Sequence, residues 1–176
     1  PSVASGPYPE EIQDFIAENT LSHIRSATPS RITLKNNIQI RINDYVYISA
    51  PWAYGLGEPY MIARVMNILQ SENQHGHGGG QVRVNLFLRM RDLTHRSNND
   101  SRLLVATMHS DTFPVAAIRG KCRVKHRDLI SHGSPQELAA WKRRDDHFYY
   151  YQLFDRYIHR FYEVIPTWKL RNAPEN

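Results

Sequence analysis

From Arg31 onward the apolar positions fall on every second residue. Ile32 and Leu34 alternate with polar neighbours, and Ile38, Ile40 and Ile42 share one face of the next run. Asn36 and Asn37 lie between these runs and suit a tight turn, because asparagine tolerates positive φ. Residues 44–48 read as a strand rich in tyrosine and β-branched side chains. Further strands are predicted over 60–69, 82–90, 100–107 and 118–126. The first two of these form a hairpin through a glycine- and histidine-rich loop at 74–80. An aromatic strand over 148–154 has its return partner over 161–165, and Pro166 ends the regular structure. Short strands at close spacing with few helices predict a mainly β chain, a small distorted β-barrel with short flanking helices.

Helical signals are confined to two places. Over residues 9–18, Pro9 suits a first turn, Glu10, Glu11 and Asp14 oppose the dipole, and Ile12, Phe15 and Ile16 make one stripe. At Ser134, Pro135 and Glu137 the residues spell a capping box, with Leu138 and Trp141 facing inward. Lys142, Arg143 and Arg144 would then sit in the last turn, where cations suit the dipole. The organisation expected is an N-terminal extension over 1–30, one domain over 31–166 and a tail over 167–176. The sequence opens on Pro1, as expected of a piece of a longer protein.

Charge changes the picture more than size does. The 176 residues carry a formal net charge of +5, which favours anionic partners such as nucleic acid or acidic chromatin surfaces. One cysteine cannot form an internal disulfide and points to a reducing compartment. No apolar run approaches the roughly 20 residues of a membrane helix, so no membrane partner is expected. Within 118–126 the charge is patterned: Arg119, Lys121, Arg123, Lys125 and then Arg127 point one way. Gly120, Cys122, Val124 and His126 point the other way. A solvated edge face, where cations block aggregation, ranks ahead of a nucleic-acid contact.

Candidate chemistry is sparse. The glycine-rich loop precedes a strand, whereas a phosphate cradle needs a helix start behind it. His75 and His77 have no cysteine or carboxylate cluster beside them, so no metal site is expected. His109, Ser110 and Asp111 are adjacent, unlike a triad assembled from distant segments, and with Thr112 they read as a polar turn. Cys122 and His126 are four strand positions apart, roughly 13 Å, too far for a thiolate–imidazolium pair, and Cys122 reads as a buried structural residue. Trp52 and Tyr54 lie in a Gly/Pro-rich loop, where they either stack a cation such as a methylated lysine or fold back onto the sheet.

Three blocks then carry a resemblance. Asp44, Val46, Pro59, Tyr60, Ala63, Arg64 and Val65 resemble the "D-x-V" and "PY-x-A-R-V" strands of the BAH (bromo-adjacent homology) domain. Residues 82–89 are similar to its "V-x-V-x-W-F/Y-Y-R-P-E" block. Ser110 and Asp111, with Ile118, Gly120, Lys121, Cys122 and Val124, are similar to "S-D…I-x-G-K-C-x-V". The likeness covers roughly residues 31–166 and looks nearest to fungal proteins that join a BAH domain to PHD and ELM2/SANT segments.

The resemblance implies a barrel with helical additions, no catalytic activity, no cofactor and a nuclear role in chromatin. The implied partners are a histone tail or nucleosome, with possible DNA contact, and subunits of a histone-deacetylase or ubiquitin-ligase complex. Leu86 and Leu88 stand where methyl-lysine readers of the family carry cage aromatics, Phe87 faces the other way, and the third wall falls on Met61 or Tyr60. Leucine has no π face for an ammonium, so a standard methyl-lysine cage does not carry over. The expected tail-binding set is Tyr60, Leu86, Leu88, Asp92, Ser110 and Asp111. The alternatives are DNA contact through Arg119, Lys121, Arg123, Lys125, Arg127, Lys142, Arg143 and Arg144, or a scaffold that touches only other subunits.

Overall fold

The computed structural model describes residues 31–49, 60–69, 80–93, 100–131 and 134–166. The first described elements are β1 (Arg31–Thr33), β2 (Gln39–Arg41), β3 (Tyr45–Ser49), β4 (Tyr60–Leu69), β5 (Gln81–Arg89) and a short helix α1 (Met90–Leu93). There follow β6 (Leu103–Pro114), a 3-10 turn (Val115–Ala117), β7 (Ile118–His126) and α2 (Arg127–Ser131). The last are α3 (Pro135–Lys142), β8 (His147–Asp155) and β9 (Arg160–Glu163). The chain is mainly β with short helices, as its alternation predicts. The helix expected over 9–18 and the loop at 74–79 fall outside the described residues.

β1 and β2 make a two-stranded sheet. The other strands are hydrogen-bonded in the order β6-β5-β4-β3-β7-β8-β9, and β6 also pairs with β8. The ladder of neighbours therefore returns to the strand on which it began. The chain divides into two compact units. Of the described residues, the first holds 31–49, 60–69, 80–87 and 108–122, and the second holds 88–93, 100–107, 123–131 and 134–166.

In the first unit, β3 and β4 are antiparallel, as are β4 and β5. Alternation along Tyr45, Val46, Tyr47 and Ile48 sends the aliphatic pair inward, where both are 0% exposed. They pack with Ile40, Val65, Val84 and Leu86 in one apolar cluster. Tyr45 and Tyr47 take the other face, where the Tyr45 ring meets Phe87 edge-on at 5.5 Å. The β1–β2 turn uses Asn37 at φ 63°, and Leu34 donates its N–H to Ile38 O at 2.9 Å. Gly80 is needed for close approach: a Cβ there would meet Leu69 O and a Val115 methyl, each at 3.3 Å.

In the second unit, β8 runs parallel to both β6 and β7 and antiparallel to β9. Leu104, Val105, Phe148 and Leu153 are buried. Buried His126 ties the end of β7 to the chain beyond β9. Its Nε2–H donates to Val164 O at 2.6 Å, and its Nδ1 accepts the Asp128 amide at 3.1 Å. That pair of bonds belongs to the neutral imidazole with the proton on Nε2.

Three expectations change. His109, Ser110, Asp111 and Thr112 are not a turn but part of β6, which runs to Pro114. Polar side chains are tolerated there because this end of the strand is half-buried to exposed, and proline closes it at a position that supplies no donor. Ser134 stands at the start of α3, but its hydroxyl donates to Gln136 Oε1 at 2.9 Å and caps no amide. Arg127 opens α2 and so leaves the cationic row of β7.

Candidate functional site

Within the tail-binding set, the structure separates Leu86 from Tyr60. Leu86 is 6% exposed and belongs to the apolar cluster. It lies across from Ala63, whereas Phe87 lies across from Ile62, so Leu86 and Phe87 occupy opposite faces of β5. Leu86 therefore cannot line a surface with Tyr60, and the apolar patch expected from Tyr60, Leu86 and Leu88 is corrected on that ground. Met61, the other position for a cage wall, is also core at 8% exposure. Leu88 is half-buried and belongs to the second unit.

Tyr60 is exposed, and its ring lies 5.9 Å from that of Tyr47 at an interplanar angle of 55°. Gly120 flanks Tyr47: a Cβ added there would stand 3.9 Å from the Tyr47 ring. This leaves an aromatic pair with a side-chain-free neighbour. Tyr47 was missed by motif reasoning, yet its signal was present in the Tyr-Val-Tyr-Ile alternation. Trp52 and Tyr54 fall outside the described residues.

The polar positions are partly engaged. Arg83 Nη2 donates to Ser110 Oγ at 3.3 Å, and Asn85 Nδ2 donates to His109 O at 3.2 Å. Asp111 is exposed and accepts the Thr112 amide at 2.7 Å through Oδ1. A carboxylate accepts through two oxygens, so Asp111 retains capacity for a basic ligand. Asp92 Oδ2 accepts the Arg89 amide at 3.3 Å at the start of α1, the return bond of a capping box.

The cationic set is also divided. Arg119, Lys121, Arg123 and Lys125 are exposed and alternate with less exposed residues, as expected. Lys121 Nζ is bound to Asp44 Oδ2 at 2.8 Å and donates to Gln39 O at 3.2 Å. Arg119 Nη1 donates to Ala116 O at 2.7 Å. Lys125 lies 4.9 Å over the Trp141 ring, and Arg127 lies 4.2 Å over Tyr151 while pairing with Glu163 at 3.5 Å. Arg143 and Arg144 are exposed beyond α3.

A buried-to-surface network in the second unit was invisible to motif reasoning. Asp100 Oδ2 accepts from Tyr149 OH at 2.7 Å and from Lys142 Nζ at 2.9 Å, while Oδ1 accepts the Arg102 amide at 3.0 Å. Burial opposes ionisation of Asp100, but bonds from Tyr149, Lys142 and the Arg102 amide outweigh it and hold its carboxyl below the usual range. Burial, reinforced by the bond to Asp100, pushes the Tyr149 phenol well above its usual value. Arg89 and Arg102 approach the Phe148 ring at 5.7 and 5.5 Å, and Arg102 also pairs with Asp145 at 2.9 Å. These groups hold β8, α3 and the chain before β6 together.

The family profile described as BAH domain matches residues 38–166. The Lid2 complex component snt2 of Schizosaccharomyces pombe is 34% identical over 148 residues, taking in 81% of this chain and 12% of that protein. The E3 ubiquitin-protein ligase SNT2 of Saccharomyces cerevisiae is 32% identical over 180 aligned positions, 90% of this chain and 12% of that protein. The chain thus spans about 12% of the length of each of these relatives. The crystal structure of the yeast Rsc2 BAH domain matches with a TM-score of 0.59 at 15% identity, over 82% of this chain and 57% of that one. At that identity the likeness is one of fold.

Proposed function

The chain belongs to the BAH-domain family, and from that premise we propose that it is a non-catalytic chromatin module that docks a histone tail or nucleosome. Residues 31–166 would form the docking domain. It would act in the nucleus inside a larger transcription-regulating complex. Its similarity to a protein named as a Lid2 complex component supports work within a multi-subunit assembly. The ligase activity in the name of the other relative is a property of a protein of which this chain spans 12%, and the proposal assigns no catalysis to that span.

The observation that carries the docking reading is the exposed Tyr60 ring beside Tyr47. Two tyrosine faces at a sheet surface offer quadrupole attraction and apolar area to a tail side chain, worth about 0.5–2 kcal/mol per cationic contact. Asp111, in the same unit, adds an outward carboxylate for a basic residue. Ser110, in the same unit, remains a supporting position and Leu86 leaves the set; Leu88 and Asp92, in the other unit, are proposed as tail contacts in their own right.

Calorimetry with unmodified, methylated and acylated histone-tail peptides, repeated with reconstituted nucleosomes, tests the proposal. Tyr60→Ala should weaken binding roughly two- to thirty-fold, and Asp111→Ala should weaken it in the same direction. Affinity unchanged by both substitutions would count against the docking surface. Failure to bind either partner, with retention in a purified complex, would favour the scaffold reading.

A further inference from the structure

The geometry points to a second docking surface, a phosphate-backbone site for duplex DNA on the outer face of the β1–β2 ribbon. Its core is a juxtaposition of like charges: Arg31 lies directly across the ladder from Arg41. Both residues are exposed. Cross-strand partners in register hold their Cβ atoms roughly 4.5–5.5 Å apart, and like charges at that spacing oppose folding. Elsewhere the described registers avoid this. Arg160 lies across from Asp155, and Arg64 lies across from Asn85.

The nearest carboxylate in the chain is already shared with another cation. Asp44 is the carboxylate adjoining Arg41 in the next turn. Its Oδ2 accepts the Arg41 backbone amide at 2.8 Å and binds Lys121 Nζ at 2.8 Å. Lys121 also bonds Gln39 O on β2, which ties β7 to the ribbon.

The rest of the outer face is suited to an anion. Ile32 and Ile40 point inward, with Ile40 fully buried. Thr33 lies across from Gln39, both exposed and both neutral, and exposed Lys35 follows in the turn. The face thus offers cations and neutral hydrogen-bond donors, with no carboxylate among Arg31, Thr33, Lys35, Gln39 and Arg41. Two guanidinium forks side by side match the oxygens of a phosphodiester better than the single charge of a lysine does. Alternate positions along β1 are roughly 6.6 Å apart, a repeat suited to a polymer of phosphates rather than to one free ion. The site differs from the cationic row of β7, where Lys121 and Lys125 already have partners. It also stands independently of the Tyr60 surface, because DNA without histones tests it alone.

The experiment measures binding of the full chain to a short duplex as salt is raised. Each phosphate contact contributes about 0.9 to the slope of log K against log salt, so Arg31→Gln with Arg41→Gln should lower that slope by about 2. Affinity at low salt should fall at least roughly ten-fold in the same variant. Arg156→Gln with Arg160→Gln removes equal charge from the exposed β8–β9 turn and the first residue of β9, and should leave the slope within about 0.5 of the unaltered chain. Circular dichroism on both variants separates lost contacts from lost folding, and Arg31→Lys with Arg41→Lys should retain most of the slope. Three results overturn the site: no duplex binding by the unaltered chain, equal slope losses in the two neutralised variants, or equal binding to a charge-matched acidic polypeptide.

Discussion

Asp100 shows how one side chain can set the stability of its surroundings. It accepts from a phenol, an ammonium and an amide, and its ionised form is favoured in the folded state. Its stabilisation is therefore complete above the ordinary carboxyl value of 3.8 and is lost as pH falls below it. Asp100→Asn should flatten the acid limb of a urea-stability profile below pH 3.8. An unchanged limb would mean other carboxylates set it. Tyr149 behaves in the opposite sense: its raised phenol holds stability up to the ordinary value of 10.0 and loses it as pH climbs further. Leu86 is a residue-scale case of a different kind. Truncation to alanine should cost about 2–5 kcal/mol, and Leu86→Trp should cost about 1–3 kcal/mol by overpacking without creating a cage. Denaturant midpoints measure both.

At the scale of elements, contacts between strands and helices decide what motif patterns leave open. α3 is held to β8 through Trp141, whose indole donates to Phe148 O at 2.9 Å and whose ring lies 4.1 Å from that of His147. Trp141→Phe should cost about 1 kcal/mol for the lost hydrogen bond, and Trp141→Ala about 2–4 kcal/mol. Equal costs would assign the attachment to packing alone. The β1–β2 turn gives a sharper test, because Asn37 sits at φ 63°. Asn37→Gly should be neutral or slightly stabilising, whereas Asn37→Val should cost about 1–2 kcal/mol, read from thermal unfolding. Polar residues in β6 follow the same logic. A run that looks like a turn in isolation is extended when neighbouring strands accept its backbone.

At the scale of the whole molecule, several of the described cations already have partners. A net charge of +5 suggests one basic face, yet Lys121, Lys125, Arg127 and Lys142 are engaged by carboxylates or rings. Reversing Lys121 to glutamate would place it against Asp44 and destabilise the first unit by about 1 kcal/mol. A loss of DNA binding in that variant would then report folding as much as contact. Nucleosome binding should accordingly show two separable components. One responds to Tyr60→Ala with little change in salt dependence, and the other responds to the Arg31 and Arg41 pair with a reduced salt slope. A single component sensitive to both would merge the two proposed surfaces.

The sequence by itself determined the strands other than the outer half of β6, because alternation of burial is a local property of an extended chain. It carried β4 and β5 as a hairpin, the inward row of β7, the start of α3 and the left-handed asparagine at the first turn. Ordered motif blocks also carried the family, since their spacing reflects the order of those strands. Tertiary structure alone decided which face of β5 is core, and so removed Leu86 from the candidate surface while giving Tyr60 its partner in Tyr47. It alone brought Asp100 to Tyr149, 49 positions along the chain, and Lys121 to Asp44. Periodicity assigns a residue to a face; only the packing of other strands decides which face meets water and which charge finds an opposite.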